Sequence, residues 1–285
     1  MLIDRFAARP LTLIDRFAVR WIICTIICVL FPFVGAGATS YAALQDSTYG
    51  AAQIRTAANF NLKFDRVTLQ FGEEFRFNLA PAQEFQLANT TVGLNVSIIK
   101  GYFSAHAAYI LRVRTNKIGT TTDANKILRH RVYFGLTEQV KLGVQQQWVL
   151  SLKERAVLTS RTDAPNAFEK QANAWEMRYR FQVQYKAISK PLTPYIWTEL
   201  AHTCNATDLQ KYYHDNRNYI AAVRVATGVK WRINSLHSLH FYLRYDWLQD
   251  YEIDANQEGT NVKSAYHMQK HQGMFGVAYI FDWKK

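Results

Sequence analysis

Trp175-Glu176-Met177-Arg178-Tyr179-Arg180-Phe181-Gln182-Val183-Gln184-Tyr185-Lys186 divides into two faces without an exception. Odd positions carry Trp, Met, Tyr, Phe, Val and Tyr, and even positions carry Glu, Arg, Arg, Gln, Gln and Lys. A helix of 3.6 residues per turn scatters such a series around its axis, whereas a strand sends successive side chains to opposite sides. The stretch therefore predicts a strand with one apolar and one charged face. The same alternation recurs at Leu239 to Trp247 and Tyr219 to Trp231. Weaker copies run over Val67 to Phe77, Val92 to Ile98, Phe103 to Val113, Leu128 to Leu136, Val140 to Leu158 and Phe275 to Trp283.

Between these segments, tight links at Lys100-Gly101, Glu138-Gln139, Ile188 to Thr193 and Ile233 to His237 alternate with longer polar ones. The longer links cover Thr115 to Lys126, Ser160 to Asn173, Asn205 to Arg217 and Asp250 to Ser264. Short and long connections in succession predict an up-and-down meander whose two ends face different surroundings. With 13 glycines and 6 prolines in 285 residues, no flexible linker divides the chain, and one domain is the economical reading. An apolar share of 49% with 14% aromatics excludes a disordered chain. Lysine and arginine exceed the acids by 12, which points either to an anionic partner or to basic side chains lining an interior.

Ahead of the strands, Trp21 to Val34 is an uncharged run preceded by Arg5, Arg9, Arg16 and Arg20 and followed by GAGATSYAA. This is the order of a secretory signal, and the run is short for a spanning helix. The expected division is a removed signal at residues 1–43 and one barrel domain at 44–285, with cleavage near Ala42 or Ala43. Cleavage takes away Cys24 and Cys28, so Cys204 remains alone and no internal disulfide can form. It also removes four arginines and two aspartates, so a surplus of about ten positive charges stays with the mature chain.

Alternating strands in an exported chain suit two barrels of opposite polarity, a soluble one with an apolar interior and a membrane one with an apolar exterior. Strand lengths match a hydrocarbon crossing at a tilt. Trp148, Trp175, Tyr185, Tyr219, Trp231, Trp247 and Trp283 stand near strand ends, where amphipathic rings favour the headgroup level, as an aromatic girdle would. Closure satisfies every backbone polar group in lipid, which an open sheet does not. The expectation is an all-β, antiparallel up-and-down transmembrane β-barrel of 10–12 strands. A direct tally gives eleven, but twelve is preferred because placing both termini on one side needs an even number.

With that polarity the polar faces converge on a lumen network of Glu74, Arg76, Arg112, Arg129, Arg131, Arg155, Glu176, Arg178, Arg180, Glu199, Arg224, Arg244 and Asp246. Lys141, Lys153, Lys230 and Arg232 extend it. An excess of arginine there makes an open passage attractive to anions. Glu73 breaks the pattern by falling on the Phe71/Phe75 side, and a bulge is the expected remedy.

The strands VTLQFGEEFRFN and KGYFSAHAAYIL, the Lys153-Glu154-Arg155 strand and Trp175 to Arg180 carry a resemblance. So do Pro194-Tyr195-Ile196-Trp197-Thr198-Glu199, Arg224 to Gly228 and the closing Gly276-Val277-Ala278-Tyr279-Ile280-Phe281-Asp282-Trp283. Together they resemble an outer-membrane β-barrel family catalogued as domain of unknown function 2490, common in Bacteroidetes-type bacteria. The resemblance covers nearly all of the mature chain and implies an outer-membrane barrel of a Gram-negative bacterium with no assigned activity.

No nucleophile–base motif supports catalysis, so no enzyme, no cofactor and no metal site are expected. His267 with His271, and His202 with Cys204, are loose pairs without a zinc-hydrolase pattern. The expected partners are outer-membrane lipid, the barrel-assembly machinery during insertion and a small anionic solute, with no nucleic acid. A small-solute channel of weak anion preference leads. A plugged structural or partner-docking barrel, a soluble exported binding barrel and a membrane-embedded hydrolase follow. Leu209 to Tyr219 has the aromatic and amide character of a recognition loop and equally of an ordinary surface loop.

Overall fold

A computed structural model gives the arrangement of residues 45–80, 84–116, 125–143, 145–161, 174–186, 191–204, 219–255 and 262–284. The expected signal at 1–43, the greater part of the links at 115–126 and 160–173, all of 205–217, residues 256–261 of the last link and residues 209–218 of the Leu209 to Tyr219 loop lie outside the described residues, while the flanks of the last link belong to strands. Eleven strands form: β1 (Gln45–Phe64), β2 (Val67–Ala80), β3 (Glu84–Ile99), β4 (Phe103–Asn116), β5 (Asn125–Leu142) and β6 (Trp148–Arg161). They continue as β7 (Ala174–Tyr185), β8 (Leu192–Cys204), β9 (Tyr219–Arg232), β10 (His237–Ala255) and β11 (Val262–Lys284). Each pairs with its chain neighbour, and β1 meets β11 to close a barrel.

The preference for twelve strands is corrected, because among the described residues eleven close the barrel. The parity argument fails at its premise. β1 and β11 pair in parallel, so the start of β1 and the end of β11 lie at opposite ends, and an odd number closes. The sheet is antiparallel everywhere except at this seam. Parallel pairing is slightly weaker per residue, and side chains stitch it. Phe60 stacks on Phe281 at 5.2 Å, and Phe64 meets Trp283 edge-on. Asp282 accepts from Asn61 at 2.7 Å and from Lys63 at 2.8 Å.

Register fixes the dimensions. Stepping through paired residues from Lys63 by way of Thr68, Asn95, His106, Gly135, Arg155, Arg178, Ala201, Ala222, Leu248 and Lys270 returns to Tyr49, a stagger of fourteen residues. With eleven strands spaced ~4.8 Å apart and rising ~3.3 Å per residue, this gives a tilt of about 41° and a backbone radius of about 11 Å. Opposite walls are then close enough for long side chains to approach one another.

Two sequence expectations about connections change. Glu138-Gln139 is no turn: both lie inside β5, with Glu138 opposite Phe103 and Leu152. The reversal comes at Gly143 to Gln147, where Gly143 and Gln146 take positive φ of 93° and 55°. The stretch Val140 to Leu158, read as one strand, is broken by this reversal: its first residues end β5 and Trp148 opens β6. Glu73 is not on a bulge either. It pairs with Ala58 and Thr90 in unbroken register, and the nearby shifts fall at Ala52/Gln53 and Arg76/Phe77. At the short-turn end, the Asn234 side chain accepts from the backbone N–H of both Leu236 and His237 at 2.8 Å, which shapes the β9–β10 turn. The exposed Lys100 ammonium, 3.0 Å from Asp65, holds that carboxyl below its ordinary range, a pair of little energetic weight in water.

Candidate functional site

Parity assigns the faces. Outward sit large apolar residues such as Phe71, Phe75, Val92, Phe134, Ile196, Val225, Leu243 and Phe275, the most exposed being Leu243 at 61%. On β7, Trp175 and Tyr185 share that outward parity ten residues apart. At ~3.3 Å per residue and a tilt of about 41° they stand about 25 Å apart along the barrel axis, the height of an outer-membrane apolar band. Trp148, whose ring centroid is 4.9 Å from that of Tyr185, joins Trp231 and Trp283 at the lower rim. Trp247 shares Trp175's upper level, opposite His271. Tyr219 departs from the expected girdle. Past the β-bulge at Ala201/His202 it pairs with buried Thr203, which shares the parity of Glu199, so the register turns it to the lumen face.

The thirteen expected lumen residues share the inner face, and contacts that skip a strand establish its concavity. Arg155 on β6 reaches Glu199 on β8 at 2.5 Å past β7. Four carboxylates organise the middle of the wall. Glu199, only 1% exposed, also accepts from Arg180 at 2.6 Å and Arg224 at 2.8 Å. Glu74 binds Arg55 and Arg76, Glu176 binds Arg178, and Asp246 binds Arg244 with Arg224 at 3.8 Å. These ion pairs run along the wall, within one strand or between strands at most two apart. Seven arginines (55, 76, 155, 178, 180, 224 and 244) share four carboxylates, and Arg112, Arg129 and Arg131 stand beside them on the same face, so this part of the wall is strongly positive.

Several members went unread in the sequence. Arg55 pairs with Glu74 and donates to the Tyr242 hydroxyl at 2.7 Å. The alternation of Arg55, Asn59, Asn61 and Lys63 along β1 would have revealed it. Trp197 and Tyr195 share the parity of Glu199, and the Arg180 guanidinium sits 4.1 Å over the Trp197 ring. Asn89, buried, accepts from Arg112 Nε at 2.8 Å. Nothing in the sequence distinguishes that asparagine from its neighbours.

The outer wall is not wholly apolar. Glu73, Glu138 and Glu154 face outward by parity, and Thr90 Oγ1 donates to Glu73 at 3.1 Å. Tyr109 bonds His130 at 2.5 Å, and Tyr245 bonds His271 at 2.6 Å. A groove of about 460 Å³ on this side is lined mainly by apolar residues, among them Leu94, Ala105, Phe134, Leu136 and Met177, together with Glu154 and Arg155. Cys204 Sγ lies 3.4 Å from His202 Nδ1. Among the described residues no group of three or more His, Cys, Asp or Glu side chains gathers to hold a metal.

A family profile described as Protein of unknown function (DUF2490) matches residues 52–257. No curated protein matches the chain. Among solved structures, the outer-membrane expressed OmpT of Vibrio cholerae matches at 15% identity and a TM-score of 0.37, covering 76% of this chain and 64% of that one. A loop L8 deletion mutant of the same protein matches at 14% identity and a TM-score of 0.35, covering 76% and 62%. In-vitro folded OmpT gives 14% identity and 0.34, covering 81% and 95%. The chain thus spans less than two thirds of the first two structures it matches.

Proposed function

The chain belongs to the DUF2490 family, whose description carries no activity, and from that starting point we propose an outer-membrane barrel of a Gram-negative bacterium that passes small solutes with a weak preference for anions. Its outer face meets lipid, supported by the apolar exterior and by aromatic residues at two levels about 25 Å apart. Insertion by the barrel-assembly machinery follows from that location. The wall performs no catalysis and uses no cofactor; it acts through its field alone, and nucleic acid is not among its partners.

The observation that carries the anion preference is the imbalance of ten arginines (55, 76, 112, 129, 131, 155, 178, 180, 224 and 244) to four carboxylates on this part of the lumen face. At reduced dielectric such an excess lowers the energy of an entering anion and raises that of a cation. The ion pairs along the wall also draw guanidinium groups toward it. A second reading, a barrel plugged by its own side chains that serves as a scaffold, is favoured by Asp246 at 2% and Glu199 at 1% exposure.

Planar-bilayer recordings of the detergent-folded protein separate the two. Discrete openings whose reversal potential in a salt gradient lies on the anion side support the passage. Silence at every voltage supports the plug.

A further inference from the structure

We propose that the β4–β5 stretch of the lumen wall holds one small oxyanion, of the phosphate kind, between the guanidinium groups of Arg112 and Arg131. The inference rests on the preceding reading that solutes reach the lumen, and it adds a place and a ligand class.

The four carboxylates of this layer are already engaged. Glu74 holds Arg55 and Arg76, Glu176 holds Arg178, Glu199 holds Arg155, Arg180 and Arg224, and Asp246 holds Arg244. Arg112 is held in place by a neutral acceptor instead. Its Nε donates to buried Asn89 at 2.8 Å, which fixes the side chain without bringing a counter-charge. Arg131 Nε is buried without a hydrogen-bond partner. Arg112 interacts with Arg131, Arg76 and Arg178 ahead of Glu74, and Arg131 with Arg178, Glu176, Arg129 and Arg224, so each faces three cations and one carboxylate that already holds another arginine.

The register sets the spacing. Arg131 lies opposite Ile110 and Arg112 opposite Arg129, so the two are diagonal neighbours across one strand pair, with backbones about 7–8 Å apart. Two planar forks at that separation can each present paired N–H donors to one tetrahedral or planar oxyanion. The anion would relieve the mutual repulsion that the protein's carboxylates leave in place. A chloride ion offers no second oxygen to either fork, so an oxyanion is the better fit.

The test is calorimetric titration of inorganic phosphate into the full barrel folded in detergent, with chloride as background. Saturable binding of one phosphate per barrel is expected, weakened at least tenfold by Arg131→Gln and by Arg112→Gln. Arg131→Lys, which keeps charge and loses the fork, should fall between. Lys100→Gln, on an exposed turn, should bind as wild type. Should a variant not fold, as judged by heat-dependent gel migration, phosphate protection of the wild-type arginines from phenylglyoxal, read by mass spectrometry, substitutes for it. Arg112 and Arg131 should be protected and the turn residue Arg66 should not. No saturable binding, binding that both Gln variants retain, or uniform protection would overturn the inference. Ion conduction without saturable phosphate binding sinks this site and leaves the passage standing. Phosphate binding in a barrel that conducts nothing does the reverse.

Discussion

Tyr242 lies across Gly276: the two are directly paired between β10 and β11, and a methyl group at position 276 would run into the phenol ring. Gly228 on the other side is also tight, an added Cβ there falling 2.5 Å from the Phe241 carbonyl oxygen and 2.7 Å from Tyr242 Cβ. The ring rests in a cradle of two glycines and presents its hydroxyl to Arg55 at 2.7 Å. Gly276→Ala should therefore destabilise the barrel by about 1–3 kcal/mol, as overpacking does. Tyr242→Phe, which removes only the hydroxyl, should cost about 1 kcal/mol. Urea unfolding followed by tryptophan fluorescence measures both, and an unchanged midpoint for Gly276→Ala would show that the ring does not occupy the cradle.

Glu73 faces outward near the middle of the apolar band, bonded only to Thr90 in the described structure. A carboxylate toward acyl chains is unfavourable, less so than the ~2–4 kcal/mol of an arginine at the midplane. Glu73→Leu should raise stability in lipid vesicles by about 1 kcal/mol and leave it nearly unchanged in water-rich detergent. A loss of stability in vesicles would mean that Glu73 is not at the lipid boundary.

Glu199 carries a different burden, since three arginines converge on it. Glu199→Gln leaves Arg155 and Arg180 without their counter-ion and Arg224 with Asp246 alone, and should cost about 3–5 kcal/mol, the usual penalty for breaking a buried pair. If the variant still conducts, its reversal potential should move further to the anion side. A shift toward cations would contradict the assignment of Glu199 to the lumen.

The parallel seam is open to covalent test. Phe60 and Phe281 are paired and stacked. On a Cys204→Ser background, Phe60→Cys with Phe281→Cys should oxidise to an internal disulfide, detected as altered gel mobility, while Phe60→Cys with Lys270→Cys should not. If the first pair fails to link, a further strand or a different closure separates β1 from β11.

Much of this barrel is legible because a strand in an amphipathic wall has no freedom of parity. Once Trp175 to Lys186 is read, Arg178 and Arg180 must share a face, and they do. What misled the reading was local chemistry without positional meaning. Glu138-Gln139 looks like a turn because two polar residues interrupt an apolar run, yet the chain turns only where Gly143 supplies positive φ. Closure was illegible for another reason. Whether the first and last strands meet in parallel depends on residues more than 200 apart, such as Asn61 and Asp282, whose bond no local pattern announces. Within the lumen, charge was readable and partnership was not: the sequence gives no sign that Glu199 contacts three arginines while Glu176 contacts Arg178 and only influences Arg131 from further away.

The account depends on which side of the wall meets lipid, and spin-label accessibility along β7 measures this directly. Single cysteines at positions 177 to 184, on the Cys204→Ser background in lipid vesicles, would be labelled and exposed in turn to oxygen and to a water-soluble nickel complex. The account predicts oxygen maxima at 177, 179, 181 and 183 and nickel maxima at 178, 180, 182 and 184. The opposite phase, or no alternation at all, would contradict it.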